Sequence, residues 1–119
     1  VYVCPGDAME GWKEAFSRFD LIVCNPPYIK SGEIELLDDS VKKYEPLMAL
    51  DGGADGLKFY RALADKWTKG LTLPGRMVVE CGIGQACDVA SIFEESKMQD
   101  ITVCKDLSGV DRVVYGVTR

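Results

Sequence analysis

The residues of this chain best equipped for chemistry are Asn25-Pro26-Pro27-Tyr28. Two prolines in succession remove two backbone N–H donors and fix φ at both positions, so the carbonyls of Asn25 and Pro26 are kept out of any helix or ladder. Asn25 adds a side-chain oxygen and Tyr28 an aromatic face. Together they form a cradle for a planar –NH2 group, with two acceptors for its hydrogens and a ring to lie against. The nitrogen of an amide is a poor nucleophile because its lone pair is delocalised. Accepting both hydrogens would aim that lone pair, and such positioning works without a strong base, so a chain with 0 His loses nothing by it.

The elements around this corner have to hold it in place. Leu21-Ile22-Val23-Cys24 is a short apolar run rich in β-branched residues, which predicts a buried strand from Asp20 to Cys24 that delivers Asn25 at its carboxyl end. In an open α/β sheet, ligands bind at that end. Upstream, Val1-Tyr2-Val3-Cys4 reads as a strand and Pro5-Gly6-Asp7 as the turn after it. Met9, Trp12, Ala15, Phe16 and Phe19 have the spacing of a short amphipathic helix. Downstream, Ile29 to Leu50 shows no clear periodicity; a stretch of about twenty such residues inside a compact domain suggests a lid or binding loop. Asp51-Gly52-Gly53-Ala54-Asp55-Gly56 is a turn cluster that opens a helix with a stripe of Leu57, Tyr60, Ala64, Trp67 and Leu71, closed by Gly70 and Pro74-Gly75. Arg61 on that helix has acidic neighbours to pair with. A strand over Arg76 to Cys81 leads through Gly82-Ile83-Gly84-Gln85 into a helix carrying Ala86, Val89, Ala90 and Phe93 on one face. Two last β-runs, Ile101–Cys104 and Arg112–Val117, are joined by too short a link for a helical crossover, so they should lie antiparallel.

Composition narrows the function classes. At 119 residues and 47% hydrophobic content, one compact domain can bury most of its apolar groups. A formal charge of -5 argues against a self-sufficient nucleic-acid binder, which needs a basic stripe, and favours a protein substrate. The 5 cysteines include no CxxC pair and read as reduced core thiols, with no metal site, which places the chain in a reducing cytoplasm. No stretch has the length of a membrane span, and the N-terminus lacks a signal-peptide pattern. A first residue of Val suggests a chain cut out of something longer.

Asn25-Pro26-Pro27-Tyr28 after the Asp20-x-Ile22-x-Cys24 strand resembles the catalytic motif of class I methyltransferases, which use S-adenosylmethionine to methylate adenine N6, guanine N2 or the glutamine side-chain amide. The extensions choose among these. Tyr44-Glu45-Pro46-Leu47-x-Ala49-Leu50, then Asp51-Gly52-Gly53-Ala54-Asp55-Gly56-Leu57, then Tyr60-Arg61 resemble the HemK/PrmC family, protein-glutamine N5-methyltransferases of peptide chain release factors. The ending Asp106-x-x-Gly109-x-x-Arg112-Val113 fits the same family.

The resemblance implies the later part of a catalytic domain over residues 1–119. The fold would be a Rossmann-like class I methyltransferase sheet, three-layer α/β/α, with strands three to seven and an antiparallel final pair. Catalytic residues would be Asn25, Pro26 and Tyr28. Asp7, Ala8 and Asn25 would meet the cofactor, the Asp7 carboxylate and Ala8 N–H facing the adenine; equally, Asp7 serves an ordinary turn. Asn25, Pro26, Pro27 and Tyr28 would hold the substrate. The Gly82-x-Gly84 segment mimics the family's glycine-rich cofactor loop, but its place after the Asn-Pro-Pro-Tyr strand and the pattern Glu80-x-Gly82-x-x-Gln85 match the fifth strand and its helix instead. An N-terminal helical domain, the glycine-rich loop and a ribose-binding acidic residue would all precede Val1, so the 119 residues alone are expected to be inactive. The catalytic strand would then have a bare edge, inviting a homodimer or a refitted N-terminal strand. Alternatives are an adenine-N6 nucleic-acid methyltransferase, a ribosomal-protein glutamine methyltransferase, and a non-catalytic module displaying a proline-rich ligand.

Overall fold

Apolar and β-branched residues crowd Phe19–Cys24, Leu71–Glu80, Gln99–Lys105 and Asp111–Thr118. These segments form strands β1 to β4 in the computed structural model, which describes Val1–Arg119 throughout. They make one four-stranded sheet in the order β1-β2-β4-β3. β1 runs parallel to β2, and β4 is antiparallel to both β2 and β3. The antiparallel ending is as expected, because Asp106 Oδ1 accepts from the N–H groups of Ser108 (2.8 Å) and Val110 (3.0 Å) and so closes the short link.

Three α-helices fill the connections: α1 (Asp39–Tyr44) and α2 (Lys58–Ala62) between β1 and β2, and α3 (Ala86–Glu95) between β2 and β3. The helix expected after Asp55 forms as α2, continues as a π-helical turn over Leu63–Trp67 and ends in a 3-10 turn at Gly70. Gly70 is required there, since a Cβ would run into the Trp12 ring. The core lies on one side of the sheet: Met77, Val79 and Val114 pack beneath Tyr60, Leu63, Val89 and Phe93, all 2% exposed or less. No helix is long and apolar enough to cross a membrane.

The mixed α/β class and antiparallel final pair agree with the sequence reading, and three details are corrected. Val1–Cys4 is unpaired coil. A strand needs a ladder partner, and the residues after it are held beside the helical layer instead, where Trp67 Nε1 donates to the Ala8 carbonyl (2.7 Å) and Lys66 Nζ to that of Met9 (2.7 Å). Neither does this segment refit the free edge of β1, whose only neighbour is β2. Met9–Phe19 forms turns rather than a helix, because Gly11 takes φ +86, where its backbone closes on Lys66, and Phe19 already enters β1. Finally, the layers number two. Leu21 and Val23 point to the uncovered face and are 53% and 69% exposed, while Arg76 shelters the Tyr115 ring there at 5.3 Å.

This asymmetry has a measurable consequence. In urea denaturation, Phe93→Ala should cost about 3–5 kcal/mol, whereas Leu21→Ala on the open face should stay within about 0.5 kcal/mol.

Candidate functional site

β1 stops at Cys24 because Pro26 and Pro27 cannot continue its ladder. Asn25 follows directly, exposed at the carboxyl end of a parallel strand. Its side chain makes no hydrogen bond within the chain, and neither its carbonyl nor that of the buried Pro26 accepts one from the backbone. The corner is thus stiff and keeps its acceptors free. Burial raises the Cys24 thiol above its ordinary range, and likewise that of Cys81 despite Arg112, so neither puts a thiolate beside Asn25.

The glycine-rich turn locks onto the chain leaving this corner. Ile29 N–H donates to the Leu50 carbonyl (3.1 Å) and Gly52 N–H to that of Ile29 (2.8 Å), making a parallel bridge between Ile29 and Asp51. Asp51 Oδ1 accepts from the Ser31 hydroxyl (2.6 Å) and the Gly53 N–H (2.9 Å), and these bonds hold its carboxyl below the usual range. Only glycine fits at 52: a Cβ there would lie 2.8 Å from Tyr28 Cα. Asp55 accepts from Leu57 N–H (3.0 Å) and pairs with Arg61, the partner expected for that arginine. The Arg61 guanidinium holds the Asp55 carboxyl down at about 2.

Tyr28 lies between this turn and the loop after β2. Its ring rests against Gly82, where a Cβ would come within 2.8 Å of Cδ2. The ring forms one wall of a cleft of about 510 Å³ with Lys30, Glu33, Leu37, Leu57 and Gln85. The aperiodic stretch after Tyr28 folds as short helical turns, Ser31–Leu36, α1 and Leu47–Ala49, and the first of these, with Leu37 after it, supplies part of the cleft's other wall. Asn25, Pro26 and Pro27 do not line this cleft.

Asp7 and Ala8 sit elsewhere. Asp7 Oδ1 accepts from Met9 N–H (2.9 Å), the ordinary turn contact, and its side chain rims a second cleft of about 400 Å³ with Ser31, Asp51, Gly53 and Lys58. The Ala8 carbonyl is taken by Trp67, while its N–H is free. The structure therefore brings Asn25 to Tyr28 together by chain continuity and brings Asp7 to the glycine-rich turn. Sequence reasoning missed Gln85, whose side chain joins both loops to Tyr28; its signal was the Gly82-x-x-Gln85 spacing. No group of three or more His, Cys, Asp or Glu side chains is arranged to hold a metal ion.

No family model matches the sequence. Individual proteins do. The release factor glutamine methyltransferase of Geobacter sulfurreducens is 48% identical over 99 residues, covering 83% of this chain and 35% of that protein. The enzyme of the same name from Clostridium acetobutylicum is 43% identical over 117 residues, 98% of this chain and 41% of its own length. The chain belongs to the release factor glutamine methyltransferase family. It spans roughly a third to two fifths of these curated relatives, 35% and 41%. The crystal structure of a release factor-specific protein-(glutamine-N5) methyltransferase from Alicyclobacillus acidocaldarius is 28% identical with a TM-score of 0.46, covering 75% of this chain and 59% of that one. The HemK/PrmC resemblance read from the Asn-Pro-Pro-Tyr corner and its extensions is borne out by the sequence relatives.

Two outcomes follow from the geometry. Gly52→Ala should push the turn off Tyr28 and cost about 1–3 kcal/mol in urea denaturation. In an NMR titration Asp55 should protonate near 2 instead of 3.8. Because its folded value is depressed, its contribution to stability is complete above about pH 4 and lost as pH falls toward 2, and Arg61→Met should move the titration back up.

Proposed function

We propose that this chain is the later part of the catalytic domain of an enzyme that transfers a methyl group from S-adenosylmethionine to a glutamine side-chain nitrogen in a peptide chain release factor. The carrying observation is the free acceptor set at the corner, the Asn25 side chain and the Pro26 carbonyl, in a chain 48% identical to a protein of that name. Sequence outside these residues would supply the glycine-rich cofactor loop, and a release factor substrate puts the reaction in the cytoplasm.

The cofactor supplies an electrophilic methyl carbon. The chain supplies position. Asn25 Oδ1 and the Pro26 carbonyl accept the two amide hydrogens, Pro27 keeps the corner rigid, and the Tyr28 ring lies flat on the amide. The nitrogen lone pair would be turned out of conjugation toward the methyl carbon; the N–C bond would form as the S–C bond of the sulfonium breaks to leave a neutral thioether, and one N–H proton would pass to solvent. Alignment of this kind can supply about 7–11 kcal/mol. The Tyr28 face toward a cationic centre adds about 1 kcal/mol.

The donor set suits the two ends of the cofactor unequally. Asn25 is exposed at the strand end, as a contact to the methyl-bearing end requires. Asp7 keeps one carboxylate oxygen, and Ala8 its N–H, free for the adenine edge. The acidic balance of -5 weighs against the nucleic-acid alternative. For the 119 residues by themselves, the free edge of β1 is the surface on which a second copy would pair.

With labelled methyl donor and full-length enzyme, release factor should be labelled while ribosomal protein and DNA are not; labelling of either of those instead would overturn the substrate assignment. Asn25→Ala should lower transfer by about 100-fold or more while cofactor affinity changes less than about twofold. Sedimentation of the isolated chain should show a dimer, which Val23→Lys at the edge strand weakens.

A further inference from the structure

Gln85 occupies the N-cap position of α3, yet its side chain does not cap that helix. It turns back instead to three backbone groups on three segments. Oε1 accepts from the Gly82 N–H at 2.9 Å. Nε2 donates to the Tyr28 carbonyl at 2.9 Å and to the Gly56 carbonyl at 3.4 Å. The partners fix the amide's orientation, since an N–H must meet the oxygen and two carbonyls must meet the NH2.

The neighbouring glycines exist to admit this amide. A Cβ on Gly82 would lie 2.8 Å from Gln85 Oε1, and one on Gly56, at φ +77, would lie 2.7 Å from Nε2 and 2.6 Å from the Tyr28 oxygen. Gly82-x-x-Gln85 and the last glycine of Asp51–Gly56 are thus one device. Tyr28 has no other tie of this kind: its ring contacts Gly82 by packing alone, and its carbonyl is held by Gln85.

We infer that Gln85 is a positioning residue for methyl transfer: by clamping the Tyr28 carbonyl to the loop after β2, it sets the plane of the Tyr28 ring and the direction of the acceptors before it. The inference rests on the glutamine methyltransferase reading for its catalytic consequence, but the clamp itself stands on geometry. Glutamate keeps the acceptor for Gly82 and sets an anion against two carbonyls. Methionine keeps the length and loses all the bonds.

The test uses Gln85→Glu and Gln85→Met in the full-length enzyme. Turnover on release factor should fall about tenfold or more in both, with KM and cofactor affinity within about twofold, since a misplaced reacting group costs rate rather than binding. Amide exchange at Gly82 should accelerate in Gln85→Met and stay slow in Gln85→Glu, while exchange at Gly52, whose N–H bonds Ile29, should accelerate in both. Unchanged turnover in a folded variant, a loss confined to KM or melting temperature, or unchanged Gly52 exchange would overturn the inference. If Gln85→Met does not fold, Gln85→Glu decides by turnover and Gly52 exchange. If the wild-type enzyme methylates no glutamine, the functional reading fails on that result, and exchange alone judges the clamp.

Discussion

A backbone that cannot donate gives the end of β1 its character. Hydrogen bonding normally consumes carbonyls wherever chain is folded, and a segment with acceptors to spare at a strand end is unusual. Pro26 and Pro27 achieve it by subtraction, leaving the carbonyls of Asn25 and Pro26 without backbone partners. Everything downstream keeps that corner from collapsing. The Asp51–Gly56 turn bridges to Ile29, the loop after β2 packs on the ring of Tyr28, and Gln85 joins the two. The stiffness of two residues is propagated into a site by close approaches that only glycine permits.

The parts of this fold that were legible in the sequence are those in which a local period coincides with a partner supplied by the chain. β2 and β4 alternate because they are buried on one face against α3, and α3 shows its own 3.6-residue stripe in Val89 and Phe93. The antiparallel end was readable from a link too short to cross over. Val1–Cys4 has the same alternation and no partner, so propensity without a ladder left it as coil. Met9–Phe19 has helical spacing, but Gly11 trades the helix for contact with Lys66. The stretch after Tyr28 looked structureless because its helical turns are each shorter than one amphipathic repeat.

At the site the same division holds. The free acceptors of the Asn25 to Tyr28 corner could be read from residue types, since prolines act through their own backbone. The clamp could not: Gly82-x-x-Gln85 marks only its local end, and no period relates that pair to residues 28 and 56. For Asp7 the ordinary turn role was legible in the sequence, and its Oδ1 accepts the local bond from Met9 N–H while the other carboxylate oxygen stays free.

Both of the chain's 2 tryptophans sit at one seam, where Trp67 Nε1 holds the Ala8 carbonyl and the Trp12 backbone N–H reaches the Lys66 carbonyl. The intrinsic emission of this molecule therefore reports on a single joint, the docking of its leading segment onto the helical layer. Peeling that segment away would redden the signal while the sheet stayed folded, giving a built-in optical gauge that is blind to β3 and β4.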